Sequence, residues 1–176
     1  MKRIMIVGSP GSGKSTLARM LGERLNLPVF HMDQIHWKEN WIERPLAEKL
    51  PVALAVEAHQ SWIFEGGMSR TYESRAARAE VLIWLDFPVG LRLWRVTKRL
   101  FRNLGKAEGR ADLPKGCVER IHPQTLAFYR YIWTSRHPSH AKIAQLLMNV
   151  RGDLKVVHLR SPRHVRFWLL SLTDET

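Results

Sequence analysis

The stretch Gly8-Ser9-Pro10-Gly11-Ser12-Gly13-Lys14-Ser15 restricts the fold of this chain more than any other. It follows a short β-type run, Arg3 to Val7, and opens a helical pattern with Leu17, Leu21 and Leu25 at i, i+4 and i+8. A Gly-x-x-x-x-Gly-Lys-Ser segment between a strand and a helix is built to wrap phosphate. Small residues let backbone N–H groups come close to phosphate oxygens. The helix that follows turns its positive end on the same oxygens. Lys14 supplies a point charge for the β- and γ-phosphates, and the Ser15 hydroxyl stands where it can coordinate Mg²⁺. A chance Gly/Ser turn has no reason to sit between a strand and a helix. Gly8, Ser9, Pro10, Gly11, Ser12, Gly13, Lys14, Ser15 and Thr16 are therefore the expected nucleotide-binding residues, with ATP and Mg²⁺ as ligands.

The rest of the chain alternates in the same way. Further strands are predicted at Pro28 to Met32, Trp62 to Glu65, Val81 to Phe87 and Leu154 to Leu159. Helices are predicted at Pro45 to His59 with a break or restart at Pro51, at Ser69 to Glu80, and at Val89 to about Asn103. More helix is expected over Glu119 to Met148, broken near Pro123 and Pro138. A last helix, Pro162 to Leu172, has Ser161 as its cap. Five short apolar strands alternating with helices imply an α/β fold, a parallel sheet covered on both faces. The length of 176 residues fits one domain over positions 1–176. A lone cysteine, Cys117, rules out an internal disulfide and a cysteine–zinc cluster, and points to a reducing, cytoplasmic setting. No apolar run is long enough to span a bilayer, so no membrane partner is expected.

Ligands of such sheets gather beyond the carboxyl ends of the strands. Asp33 lies there, after the second strand, where a carboxylate can take a proton from a substrate hydroxyl or hold Mg²⁺ through water. His31 and His36 flank it, but with no third ligand nearby they read as packing or exposed residues rather than a metal pair. A phosphate loop also needs an acid at the end of a neighbouring strand to hold metal-bound water. Asp86 and Glu65 both qualify by position, and the pattern alone leaves the choice open.

The net charge of +12 attracts anions of every class. Much of it lies between Arg92 and Arg136, where only Glu108, Asp112 and Glu119 oppose eleven cations. Arg95 and Arg99 share a helix face, and phosphoryl transfer needs such cations on the equatorial oxygens. The interleaved Trp and Tyr residues suggest a second reading, a nucleic-acid surface with stacking platforms. Leu91, Leu93, Trp94, Val96 and Leu100, and then Phe128, Tyr129, Tyr131, Ile132 and Trp133, nevertheless read better as core.

The segment Glu65-Gly66-Gly67-Met68-Ser69-Arg70-Thr71 resembles that of adenylate-kinase-type enzymes, in which an acid, glycines and Arg-Thr follow the third strand. The resemblance implies a three-layer P-loop NTPase fold with a small helical lid. It gives Glu65 to Mg²⁺ and Arg70 to the phosphate of the acceptor, and leaves Asp86 a structural role. The family usually carries Asp at the position of Glu65. Its Arg-x-x-x-Arg helix precedes a mobile lid, which here corresponds to about 102–120. Arg110, Arg120, Arg130 and Arg136 are the closing arginines this suggests.

Closer still, the chain resembles the bacterial topology-modulation proteins of the same class. The likeness runs through His31-Met32-Asp33, Trp62-Ile63-Phe64-Glu65-Gly66, Leu85-Asp86-Phe87-Pro88, Leu93-Trp94-Arg95-Val96 and Gly116-Cys117-Val118-Glu119-Arg120. The expected activity is that of an ATP-dependent phosphotransferase of the nucleoside-monophosphate or small-molecule kinase type, with Lys14, Asp33, Arg95 and Arg99 as catalytic residues. The alternative is a nucleotide-regulated nucleic-acid-binding protein.

Overall fold

The computed structural model describes residues 1–104, 112–118 and 121–172. Arg110, Glu119, Arg120 and the centre of the lid-like segment lie outside the described residues. The elements are β1 (Arg3–Gly8), α1 (Lys14–Leu25), β2 (Val29–His31), α2 (Met32–His36), β3 (Trp37–Lys38), β4 (Ile42–Glu43), α3 (Leu46–Ala58), β5 (Trp62–Glu65), α4 (Tyr72–Arg78), β6 (Val81–Leu85), α5 (Val89–Asn103), α6 (Pro123–Thr134), α7 (Arg136–Met148), β7 (Lys155–Leu159) and α8 (Pro162–Ser171).

Five strands form one parallel sheet in the order β2-β5-β1-β6-β7. Its strands are near-continuous apolar runs because both faces are covered. The two-residue alternation then sorts side chains between two cores. Met5, Val7, Phe64, Leu82 and Trp84 pack on the face that carries Ala53 of α3, Ala76 of α4 and Ile143 of α7. Ile4, Ile6, Ile63, Ile83 and Leu85 pack on the face that carries Leu17 and Leu21 of α1 and, partly buried, Trp168 of α8. β1 is central, so the loop after it opens in the middle of the sheet edge.

Several expectations are corrected. Pro51 does not interrupt its helix: α3 runs through it from Leu46 to Ala58. The missing N–H removes one ladder bond, and burial of Ala53 and Val56 against the sheet outweighs that loss. Ser69–Thr71 is a single 3₁₀ turn, and the α-helix begins only at Tyr72. Pro123 starts α6 instead of breaking it, and Pro138 lies in the first turn of α7, where its missing N–H costs little. The Ser161 cap is as expected, its hydroxyl accepting from the His164 N–H at 3.2 Å.

The hairpin β3–β4 has no counterpart in the sequence reading. Its tip puts Asn40 at φ 58° and Trp41 at φ 61°, a left-handed conformation that is rare for a bulky side chain. Contacts from 76 and 77 residues away accompany it. The Trp41 N–H donates to Cys117 Sγ at 3.4 Å, and its indole N–H donates to the Val118 carbonyl at 3.3 Å.

Candidate active site

A cavity of about 810 Å³ opens at the carboxyl edge of the sheet, lined by the ends of β5 and β6 and by the segments that follow β1, β2 and β7. The loop after β1 contributes Pro10 to Ser15, and β2 is followed by Asp33. β5 ends in Glu65, the end of β6 contributes Leu85 and Phe87, and Pro162 follows β7. Arg95 and Arg99 enter from α5. Pro10 to Thr16, Glu65, Arg95 and Arg99, which the sequence assigned to donor phosphates, metal and transition state, therefore line one cavity, while Gly8 and Ser9 of the same assignment do not.

The loop itself is tightly supported. Gly11 has φ +79°, and a Cβ there would lie 2.6 Å from the Arg92 carbonyl oxygen, so the loop packs directly on the α5 backbone. The Ser12 N–H donates to the Ser9 carbonyl at 3.2 Å, and Lys14 Nζ rests on that same carbonyl at 3.3 Å. Arg95 Nη1 donates to the Ser12 carbonyl at 2.9 Å, while its guanidinium lies over the Phe87 ring at 5.0 Å. Burial holds Arg95 below the ordinary arginine value. α5 thus both braces the phosphate loop and places a cation beside it.

Glu65 is buried at the end of β5, and its Oε1 accepts from Ser15 Oγ at 2.9 Å. His31 Nδ1 lies 2.8 Å from the same oxygen, with side-chain exposures of only 8 % and 3 % for the pair. His31 is therefore neither a bystander in packing nor exposed, as its sequence context suggested. Asp86, the rival acid, is engaged elsewhere. Its Oδ2 lies 3.1 Å from His158 Nε2 and 3.4 Å from His140 Nε2, and both imidazoles lie against the Trp84 ring. Of the two acids, Glu65 is the one hydrogen-bonded to Ser15. Its oxygen and that of Ser15 suit a hard cation such as Mg²⁺, which takes few protein ligands and completes its shell with phosphate and water. Among the described residues no group of three His, Cys, Asp or Glu side chains is arranged to hold a metal by itself.

The segment after Glu65 is organised by Arg75 of α4, which the sequence reading missed. Its side chain is fully buried. It donates to the carbonyls of Gly66 at 3.1 Å, Thr71 at 3.4 Å and Met68 at 3.5 Å, and lies over the Phe64 and Tyr72 rings. Burial lowers its pKa to about 10, so it remains a cation at neutral pH. Gly66, at φ +121°, could not carry a Cβ without meeting Met32. The segment after Glu65 is thus fixed from both sides. Arg70 sits on the exposed 3₁₀ turn and is not among the cavity-lining residues.

No protein-family model matches the sequence. A shikimate kinase from Brucella canis is 27% identical over 171 residues, which covers 89% of this chain and 78% of that protein. Among solved structures, shikimate kinase from Acinetobacter baumannii superposes with a TM-score of 0.57 at 17% identity, over 100% of this chain and 95% of the other. Deoxyadenosine kinase from M. mycoides superposes with a TM-score of 0.53 at 14% identity, over 98% and 99%. The fold is that of the P-loop kinases. Within it, the wall formed by Pro162, Val165, Arg166, Leu169 and Leu170 is a part of the cavity that no sequence motif marked. Arg24 ties this wall to α1 by donating to the Leu169 carbonyl at 2.8 Å.

The arginine-rich middle divides in two. Arg92 is buried, with Nε donating to the Phe87 carbonyl at 3.0 Å, and Arg95 and Arg99 face the cavity. Trp94, expected in the core, is 62 % exposed, and Tyr131 and Trp133 are 52 % and 51 % exposed. The α5 stripe at 92, 95, 96 and 99 turns toward the phosphate loop, which puts position 94 on the opposite side. Arg130 is exposed, and Arg136 is held over the Trp133 ring at 4.3 Å. Among the described residues no helix is long and apolar enough to cross a membrane.

Proposed function

We propose that this chain is an ATP-dependent phosphotransferase that moves the γ-phosphoryl group to a hydroxyl or phosphate oxygen of a small acceptor. The observation that carries this reading is the convergence of Lys14, Ser15, Glu65, Asp33, Arg95 and Arg99 on one cavity at the sheet edge. The phosphate loop and Lys14 hold the donor phosphates, and Ser15 with Glu65 serves Mg²⁺, which neutralises developing phosphate charge when bound. Asp33 accepts the proton of an attacking hydroxyl. The acceptor oxygen bonds to the γ-phosphorus as the bond to the β-phosphate oxygen breaks, and ADP leaves. Arg95 and Arg99 stabilise the equatorial oxygens in transit. Arg70, by the family resemblance, grips the acceptor from the surface. Lid closure over 102–120 and the closer resemblance to the topology-modulation group rest on sequence motifs.

The names of the relatives set the order of a screen: shikimate first, then deoxynucleosides and nucleosides, then nucleoside monophosphates. With Mg²⁺-ATP, at least one acceptor class is expected to raise ADP release well above the acceptor-free rate. ADP release that no acceptor raises would turn the reading toward a simple ATPase or switch. The nucleic-acid reading keeps the exposed aromatics but loses two of its cations, because Arg95 and Arg99 line the cavity.

The choice of acid is separately testable. Glu65→Gln is expected to raise the Mg²⁺ requirement for nucleotide binding about tenfold, the scale of a lost metal-supporting partner. Asp86→Asn should leave it unchanged. The reverse pattern, read by calorimetry, would return the metal role to Asp86.

A further inference from the structure

We propose that His31 is a positioning residue, which holds the Glu65 carboxylate in the orientation that serves the nucleotide's metal ion. The proposal rests on the phosphotransferase reading and adds a residue to it. β2 and β5 pair in parallel register with His31 opposite Glu65, so the sheet itself sets the two side chains level. Both are buried, and the Nδ1–Oε1 distance is 2.8 Å. Ser15 Oγ reaches the same oxygen from α1 at 2.9 Å. A carboxylate oxygen has two in-plane lone pairs, and these two donors fill those of Oε1. Oε2 would then be the oxygen left to accept from metal-bound water.

Nδ1 must carry a proton to donate, which fixes the imidazole's role without requiring that it change charge. A carboxylate buried this deeply needs such donors, and partners of this kind govern metal affinity without touching the metal. His31 also ends the strand whose next residues, Met32 and Asp33, pack against Gly66 and line the cavity. One side chain therefore joins the metal-serving acid to the segment that carries the proposed base.

The test needs no acceptor. ADP binding is measured by calorimetry across a Mg²⁺ titration and in EDTA, with thermal melting as a check on folding. Wild-type protein is expected to bind ADP more tightly with Mg²⁺. His31→Leu is expected to raise the Mg²⁺ requirement about tenfold or more while metal-free ADP binding stays unchanged. His31→Asn, whose amide N–H stands near the place of Nδ1–H, restores the wild-type requirement, and His31→Gln, which reaches the Nε2 position instead, does not. Equal Mg²⁺ requirements in wild type, Leu and Asn variants overturn the proposal. So does a parallel loss of metal-free ADP binding and melting temperature that Asn fails to rescue, since that marks a purely structural residue. Should the leucine variant not fold, the Asn and Gln variants decide, and equal requirements between them overturn it. A wild-type protein whose ADP binding ignores Mg²⁺ overturns this role, while the phosphotransferase reading falls only if no acceptor raises ADP release. Failure confined to the variants overturns only the role of His31.

Discussion

Lys14→Ala is expected to lower phosphoryl transfer on the order of 10²- to 10³-fold, the scale on which a single preorganised electrostatic donor acts, while the protein melts as the wild type does. Lys14 is half-buried, and among the described residues its side chain donates to the Ser9 carbonyl at 3.3 Å. Losing that contact costs the apo fold little. The strands beneath the loop and the α5 helix beside it hold the backbone without Lys14, through Gly11 packed on Arg92 and Arg95 bonded to the Ser12 carbonyl. Steady-state rates and a thermal melt check this together. A variant with wild-type turnover would remove the phosphate loop from the mechanism.

Arg75→Ala is expected to act in the opposite sense, on stability first. The Gly66 carbonyl would lose the buried guanidinium that donates to it, the Met68 and Thr71 carbonyls would keep their donors from Thr71 and Ser74, and a cavity would open between the Phe64 and Tyr72 rings. One unsatisfied buried acceptor costs about 1–3 kcal/mol and a large-to-small cavity about 2–5 kcal/mol, so a total near 4 kcal/mol is expected. For a domain of this size that lowers the melting midpoint by roughly 10 °C. Arg75→Lys should recover only part of this, because a single ammonium cannot reach three carbonyls as a planar fork does. The segment 66–71, which carries the proposed acceptor residue Arg70, would loosen with it, so acceptor KM should rise more than ATP KM in any arginine variant that still folds. A midpoint shift of less than about 2 °C would mean that the segment holds its shape without Arg75.

Much of the donor side could be read from the sequence because its signals are local. The phosphate loop is one contiguous stretch between a strand and a helix. The strands are apolar runs with turn residues at their ends, and the helix expected from Val89 to about Asn103 is α5. What escaped was set by distant partners. Trp41 adopts a left-handed backbone beside Cys117 and Val118, residues that no local pattern links to it. His31 looked unremarkable because its partner, Glu65, lies 34 residues away and is brought opposite it only by strand register. Arg75 looked like one of several surface arginines in a polar helix, yet it is the one turned inward. On α5 the apolar Trp94 was mistaken for core, because a helix that braces a phosphate loop turns arginines inward. The acceptor is the least legible part. Specificity depends on the shape of a pocket, and short motifs do not encode that shape.

The central claim is that the γ-phosphoryl group passes to a second molecule within the cavity shared by Lys14, Asp33, Glu65 and Arg95. ³¹P NMR of the protein with Mg²⁺-ATP and each acceptor class tests it most directly. A new phosphoester or phosphoanhydride resonance that grows in step with ADP, and is lost in Lys14→Ala, is the predicted result. Inorganic phosphate as the sole product with every acceptor would contradict it.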